Sequence, residues 1–129
     1  MRDLGVLVVD DNSNTLHLIK RMFNLFKVNA DCVLSAAEAL ECLKSTTYKT
    51  MVIDLEMSDM DGLELVRKAR ELYPDLNVVL FTGNTSPYIQ QLASDANVSE
   101  VHYKPSGLGG LLKSIIKKET DKELYVKAV

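Results

Sequence analysis

The chain contains no tryptophan, only two cysteines and no excess of basic residues. Its formal net charge of −3 over 129 residues argues against a surface that binds nucleic acid or an anionic membrane directly. No apolar run approaches the ~20 residues of a membrane span, and no signal-peptide pattern opens the chain. A hydrophobic content of 47% is ordinary for one globular domain with a real core.

The two cysteines do not form a recognisable disulfide or metal pattern. Cys32 and Cys42 fall in a predicted strand and a predicted helix, without CxxC spacing or spaced histidine ligands. His17 and His102 stand alone at unrelated positions. The pattern favours free, buried thiols in a cytoplasmic protein over a disulfide or a metal pair.

Apolar strand patterns alternate with helical patterns along the whole chain. The predicted strands are Leu4–Val9, Val28–Leu34, Thr50–Leu55, Asn77–Thr82 and Val98–Tyr103. The predicted helices are Thr15–Phe26, a helix opened by the capping box Ser35–Glu38, Gly62–Leu72, Tyr88–Ala96 and a last helix capped by Ser106. Asn12, Ser13 or Asn14 supplies the first N-cap, and Ser86 with Pro87 opens the fourth helix. This alternation predicts a parallel sheet with helices on both faces and all strand carboxyl ends at one edge.

The third predicted strand ends abruptly in a carboxylate. Met51, Val52 and Ile53 are apolar, Asp54 follows them, and a turn-forming acidic segment comes next. A doubly buried strand is nearly all apolar, so Asp54 is out of character unless it lies at the carboxyl end, where parallel sheets bind ligands. The alternative is that Asp54 only stops the strand or caps a turn, and this stretch alone does not separate the two.

Polar residues follow four of the predicted strands. They are Asp10 and Asp11, Asp54, Thr82 and Gly83, and Lys104 and Pro105. Three converging carboxylates would repel one another unless a hard divalent cation such as Mg²⁺ joined them. A lysine, a hydroxyl and a carboxylate nucleophile beside a metal suit phosphoryl transfer, and Gly83 leaves room for a phosphoryl oxygen.

The chain resembles the receiver domains of two-component response regulators, of the chemotaxis-regulator type. The matching motifs are Val8-Val9-Asp10-Asp11, Ile53-Asp54 through Met57 to Asp61-Gly62, Thr82-Gly83, Lys104-Pro105 and Leu111-Leu112. The resemblance implies an α/β, three-layer flavodoxin-like (βα)5 fold with a five-stranded parallel sheet in the order 2-1-3-4-5. It also implies a receiver domain over 1–118, with 119–129 as a helical extension or linker tail.

The resemblance assigns a role to each of the polar residues. Asp54 would accept a phosphoryl group from a sensor histidine kinase or a phosphotransfer protein, with Mg²⁺ or Mn²⁺ as the cofactor. The implied metal ligands are Asp11 and Asp54 directly, Asp10 mainly through water, and the backbone carbonyl of Glu56. The implied phosphoryl-binding residues are Thr82, Gly83 and Lys104, and Pro105 would follow a cis peptide bond.

The chain departs from the family pattern at three positions. Ser58 replaces a usual proline, which we expect to loosen the loop without touching the chemistry. Val101 stands where the switch aromatic is usual, which places the coupling to Thr82 in question. Tyr103 lies on the same strand face and is our candidate replacement. Ser106 occupies a position that is commonly bulky and apolar.

Two further positions border the expected path of attacking water. Glu56 and Asn84 each lie two residues past a site residue. We predict that they set the rate of aspartyl-phosphate hydrolysis and leave Mg²⁺ binding nearly intact.

The sequence is compatible with three functional hypotheses. The first is a phosphorylation-controlled switch, which is not a turnover enzyme and reports to an unidentified output or partner. The second is an aspartyl-phosphate phosphohydrolase, disfavoured because Glu56 replaces the expected second aspartate and no cap domain is visible. The third is a degenerate receiver that serves as a scaffold.

The resemblance also implies a possible phosphorylation-dependent homodimer through the fourth helix, fifth strand and fifth helix. The fourth helix has no lysine or arginine, so we expect no salt bridges from it in such a dimer.

Overall fold

The computed structural model describes residues 2–117, and the predictions made for the segment from Lys118 onward lie outside them. Five strands form one parallel sheet in the order β2-β1-β3-β4-β5, which confirms the predicted fold and strand order. The strands are β1 Arg2–Val9, β2 Val28–Val33, β3 Thr50–Ile53, β4 Asn77–Thr82 and β5 Glu100–Tyr103.

Helices connect the strands and cover both faces of the sheet. They are α1 Ser13–Leu25, α2 Ala36–Ser45, α3 Gly62–Leu72, α4 Ile89–Asp95 and α5, described over 108–117. Two of the predicted caps are present, since Asn12 accepts a hydrogen bond from the amide of Thr15 and Ser35 from the amide of Glu38. None of the helices in residues 2–117 has the length and apolarity that a bilayer crossing requires.

Alternate residues of the inner strands enter two separate cores. Leu7 and Val9 of β1 pack with α2, α3 and α4, whereas Val6 and Val8 pack with α1 and α5. Every residue of β3 is buried, because this central strand is covered on both faces. The run of apolar residues before Asp54 therefore reflects burial on two sides.

Several predicted boundaries were wrong. β2 ends at Val33 rather than Leu34, β5 begins at Glu100 rather than Val98, and α1 spans Ser13–Leu25 rather than Thr15–Phe26. The central strand ends at Ile53, so Leu55 lies in the following loop. Helix α4 begins at Ile89, because a turn joins the amide of Ile89 to the carbonyl of Ser86 at 3.1 Å before the helix starts. Helix α5 begins at 108, directly after Gly107, so Ser106 is one position too early to be its N-cap.

The first strand starts earlier than predicted, at Arg2 rather than Leu4. Its register against β2 shifts between Asp3 and Val6, and Gly5 within that shift has φ of +63°. A positive φ strains any residue with a Cβ, so glycine is the residue that this bulge requires.

Gly62 brings the start of α3 against the end of β3. A Cβ at this position would overlap the carbonyl oxygen of Asp54 and lie 2.9 Å from the Cα of Leu55. The amide of Gly62 donates to the carbonyl of Leu55 at 2.8 Å, and the side chain of Asp61 caps the helix. The Asp-Gly pair therefore closes the loop that carries Asp54.

Candidate functional site

Four polar side chains meet where β1, β3, β4 and β5 end. Asp10 and Asp54 directly follow β1 and β3, Thr82 is the last residue of β4, and Lys104 directly follows β5. Asp10, Asp54 and Thr82 are buried, with exposed fractions of 2%, 9% and 1%. Buried carboxylates need a compensating charge, which makes this edge of the sheet the candidate site.

Lys104 supplies that charge. Its Nζ donates to Oδ2 of Asp10 at 2.6 Å and to Oδ2 of Asp54 at 2.7 Å. Burial acts to lower the pKa of Lys104, but its hydrogen bonds to Asp10 and Asp54 outweigh burial and raise the pKa above the ordinary lysine value. The lysine therefore stays protonated, and the two carboxylates and one ammonium together carry a net charge of −1.

The second aspartate of the Asp-Asp pair lies apart from this triad. Asp11 is exposed, and its Oδ2 accepts a hydrogen bond from the amide of Ser58 at 2.9 Å. The neighbouring Asp10 is oriented inward, where its Oδ1 also accepts from the amide of Asn12 at 2.9 Å. The structure therefore joins Asp10 to Asp54 through Lys104 and joins Asp11 to the β3–α3 loop.

The β3–α3 loop is also attached to α2 by hydrogen bonds. The two carboxylate oxygens of Asp59 accept from the amides of Ala36 and Ala37, at 3.2 and 3.1 Å. These amides are otherwise unpaired donors at the start of α2. The hydrogen bond from Ala37 is the main cause that lowers the pKa of Asp59 below its ordinary value. The loop thus connects the site to α2.

The crevice at this sheet edge has two walls, which are the β3–α3 loop and the residues Thr82, Gly83 and Asn84 at the end of β4. The hydroxyl oxygen of Thr82 accepts from the amide of Asn84 at 3.1 Å. The side-chain amide of Asn84 donates to Oε1 of Glu56 at 2.8 Å, which bridges the two walls. A Cβ at Gly83 would meet no atom within 4 Å, so the backbone there borders open space.

The two candidate switch residues, Val101 and Tyr103, lie on the same face of β5. Val101 packs against the core formed with α2, α3 and α4. Tyr103 pairs in register with Thr82, and its hydroxyl accepts from the side-chain amide of Gln90 at 3.1 Å. The Lys104–Pro105 peptide bond is cis, the isomer that the resemblance implies.

The oxygen atoms at this edge of the sheet are the type of ligand that a hard cation prefers. In the part of the chain that the structure describes, no three His, Cys, Asp or Glu side chains form a cluster that could hold a metal ion. Lys104 joins Asp10 to Asp54, and Asp11 is turned to Ser58. Mg²⁺ needs only one or two carboxylates with carbonyl oxygens and water, so an all-oxygen crevice of net negative charge still fits it.

Sequence reasoning missed two of these contacts. Neither the hydrogen bond from the Ser58 amide to Asp11 nor the capping of α2 by Asp59 was predicted. In both, the donor is a backbone amide far away in sequence from the acid. Every residue except proline carries such an amide, so no residue type marks it.

Comparisons with known proteins place the chain in a family. The family model described as "Response regulator receiver domain" matches residues 6–116. The chain is 32% identical over 121 residues to "Hybrid signal transduction histidine kinase L" of Dictyostelium discoideum, an alignment that covers 88% of this chain and 7% of that protein. The chain therefore corresponds to a small part of such relatives.

Solved structures agree with this assignment. A CheY-like response regulator receiver domain protein from Methanospirillum hungatei JF-1 superposes with a TM-score of 0.82, covers 97% of this chain and 98% of its own, and is 24% identical. The response regulator TrrA of Thermotoga maritima, solved in complex with Mg(2+)-BeF, has a TM-score of 0.78, covers 91% and 98%, and is 28% identical. With its strand order and its acidic edge, this chain belongs to the response regulator receiver domain family, whose members act in two-component signalling.

Proposed function

We propose that this domain is a magnesium-dependent phosphoryl acceptor that takes the phosphoryl group on Asp54 from a phosphohistidine. The observation that carries the proposal is the Asp54 carboxylate, which directly follows β3 and is paired with Lys104 at 2.7 Å. The chain is similar to part of a hybrid histidine kinase, which supports a phosphohistidine as the phosphoryl donor. It is also similar to a regulator solved in complex with Mg(2+)-BeF, which supports Mg²⁺ as the cation.

The transfer needs little covalent machinery. A carboxylate oxygen of Asp54 forms the new P–O bond, the P–N bond to the donor imidazole breaks, and the histidine departs with the bonding electron pair. Lys104 already contacts this carboxylate and can balance the charge of the phosphoryl oxygens. We assign Thr82 and the Gly83 backbone to the remaining oxygens.

Mg²⁺, or Mn²⁺ in its place, supplies positive charge against the phosphoryl oxygens when it is bound. We assign its ligands to the carboxylates of Asp11 and Asp54 and to the backbone carbonyl of Glu56, with Asp10 acting through water. The oxygen-only chemistry of these donors suits a hard cation.

The direct test is intact-mass measurement after incubation with acetyl phosphate and Mg²⁺. We expect one phosphoryl adduct, which a chelator abolishes. Asp54→Asn should lose the adduct, whereas the matched variant Asp75→Asn, an exposed aspartate before β4, should keep it. An adduct that persists in Asp54→Asn would contradict the assignment, and multiple turnover on a phosphomonoester would favour a phosphohydrolase instead.

We propose that Glu56 and Asn84 control the lifetime of the phosphoryl group together. Their hydrogen bond of 2.8 Å spans the crevice, so removing either partner opens the same route for water. Glu56→Ala and Asn84→Ala should each change the hydrolysis rate, and the double variant should differ little from either single one. Unchanged rates in both single variants would refute a role for the pair.

We propose that Tyr103 carries the signal from Thr82 toward α4. It pairs with Thr82 across the sheet and accepts a hydrogen bond from Gln90, just inside α4, whereas Val101 has no group that could make this bond. Structures of the free and the beryllofluoride-bound domain should differ in the Tyr103 rotamer. One unchanged rotamer in both states would eliminate this route.

The partner surface is proposed on α4 and its neighbours. Tyr88, the residue directly before α4, and Leu92 within α4 are 73% and 40% exposed, and a spacing of four residues places them on the same side of the helix. We assign this face to a phosphorylation-dependent homodimer or an output partner. Sedimentation with and without beryllofluoride distinguishes the dimer from a monomer.

We propose a cytoplasmic location for the domain. Cys32 and Cys42 are free, as predicted, although both are partly exposed rather than buried, and free thiols support a reducing compartment.

A further inference from the structure

Ser58 makes a contact that proline could not make. Its backbone N–H donates to Oδ2 of Asp11 at 2.9 Å, across 47 positions of sequence. Proline has no backbone N–H, so this hydrogen bond exists only because the position is not proline. The Ser58 position therefore contacts a residue of the candidate site.

The contact restricts a side chain that solvent would otherwise leave free. Asp11 is exposed, and an exposed carboxylate samples several rotamers unless a partner selects one. A hydrogen bond from an amide to an ionised carboxylate is stronger than one between neutral groups. It engages Oδ2, so Oδ1 remains available for another ligand.

The donor is fixed by the loop around it. Directly after Ser58, both carboxylate oxygens of Asp59 bind amides at the start of α2. Four residues after Ser58, the amide of Gly62 binds the carbonyl of Leu55. The Ser58 amide therefore acts from a restrained segment, and this segment also carries Glu56.

We propose that the Ser58 backbone amide is a positioning group that holds Asp11 ready to bind the divalent cation of the phosphoryl-transfer site. The inference rests on the proposed function and adds a residue to it. Hydrogen bonds to the ligands of a metal orient those ligands, and their loss typically weakens metal affinity about 10- to 100-fold. The amide remains bound to Oδ2 while Oδ1 turns to the cation.

The test compares Mg²⁺ dissociation constants, measured by calorimetry, for the wild type, Ser58→Pro and Ser58→Ala. Alanine keeps the amide, so its Kd should stay close to the wild-type value. Proline removes the amide, so its Kd should rise about tenfold. Proline also stiffens the loop, which by itself favours binding, so a Kd for Ser58→Pro equal to or below that of Ser58→Ala overturns the inference.

A second measurement does not depend on the folding of the proline variant. In the wild type, the Ser58 amide should exchange slowly with solvent both without Mg²⁺ and at saturating Mg²⁺, and Asp11→Asn should accelerate the exchange. Loss of protection on adding Mg²⁺ would mean that the cation pulls Asp11 away from Ser58, which contradicts the inference. A wild type that binds no Mg²⁺ would instead overturn the proposed function.

Discussion

Replacing Lys104 by methionine tests the charge balance of the site most directly. The change retains most of the aliphatic stem and removes the ammonium, whose Nζ lies over the ring of Phe81 at 6.0 Å from the ring centroid. Asp10 and Asp54 then face each other as buried carboxylates that have lost their shared cation.

The expected cost follows from burial. Removing one partner of a buried ion pair typically costs about 3–5 kcal/mol, because a charge is left uncompensated. The side chains of Lys104 and Asp54 keep 18% and 12% of their exposure, whereas Asp10 keeps 3%. This partial access to water places the expected loss in the free energy of unfolding near the lower end, about 3 kcal/mol.

The cost should also depend on pH. In the wild type, the raised pKa of Lys104 means that its stabilisation is complete below the unfolded value of 10.5 and is lost as pH rises through the folded value. In Lys104→Met the ammonium is absent at every pH, so the difference from the wild type should shrink as pH rises above 10.5.

The assay is urea unfolding of both proteins at about pH 7.5 and about pH 11.5, on either side of the unfolded lysine value. Lys44→Met is the matched control, because Lys44 pairs with Glu41 at 3.1 Å where both side chains are more than half exposed. This control should lose no more than about 0.5 kcal/mol. A Lys104→Met protein as stable as the control, or one whose penalty is the same at both pH values, would refute the reasoning.

Three other predictions concern the framework around the site. Gly62→Ala should lower the free energy of unfolding by about 3 kcal/mol or more, since its Cβ would overlap the backbone of Asp54. Gly109→Ala, whose Cβ would meet no atom within 4 Å, should be neutral or stabilising in the same denaturation assay. Asp59→Ala should cost about 1 kcal/mol by removing the acceptors of the Ala36 and Ala37 amides at the start of α2. Because the pKa of Asp59 is lowered, that difference should be full above its unfolded value of 3.8 and vanish as pH falls below the folded value; a difference that grows in acid would contradict it. Burial raises the pKa of Cys32 to about 11, so alkylation of this thiol at neutral pH should be about tenfold or more slower in the folded than in the unfolded protein, as mass spectrometry of the labelled peptide would reveal. Equal rates in the two states would show that the thiol is not shielded.

The parts of the fold that depend on local pattern were predictable. Burial on both faces keeps Met51, Val52 and Ile53 of β3 apolar, so Asp54 stood out as the residue where that environment ends. Helical spacing identified α1, whose buried residues are Leu16, Ile19 and Phe23. Short strand–helix alternation then implied that the residues after each strand would meet at one edge.

Helix starts were less predictable, because backbone turns compete with side-chain caps. Ser86 is a residue type that N-caps favour, and it precedes a proline. A turn closed by the hydrogen bond from the Ile89 amide to the Ser86 carbonyl comes first, however, and α4 begins only at Ile89. Ser106 likewise precedes Gly107, whose Cβ would lie 2.6 Å from the carbonyl oxygen of Tyr103. That close approach of the two backbones sets the start of α5, and it has no signature in local sequence.

Local residue patterns were sufficient to predict the layers of this protein and its acidic edge, because hydrophobic period and strand-end polarity are local properties of the chain. The sharing of the charges depended on the assembled fold: Lys104 joins Asp10 as well as Asp54, and Asp11 binds the Ser58 amide. These contacts cross between 47 and 94 positions of sequence. They depend on distances and backbone directions that exist only once the sheet has assembled, since a backbone amide carries no mark of its partner in the residue type.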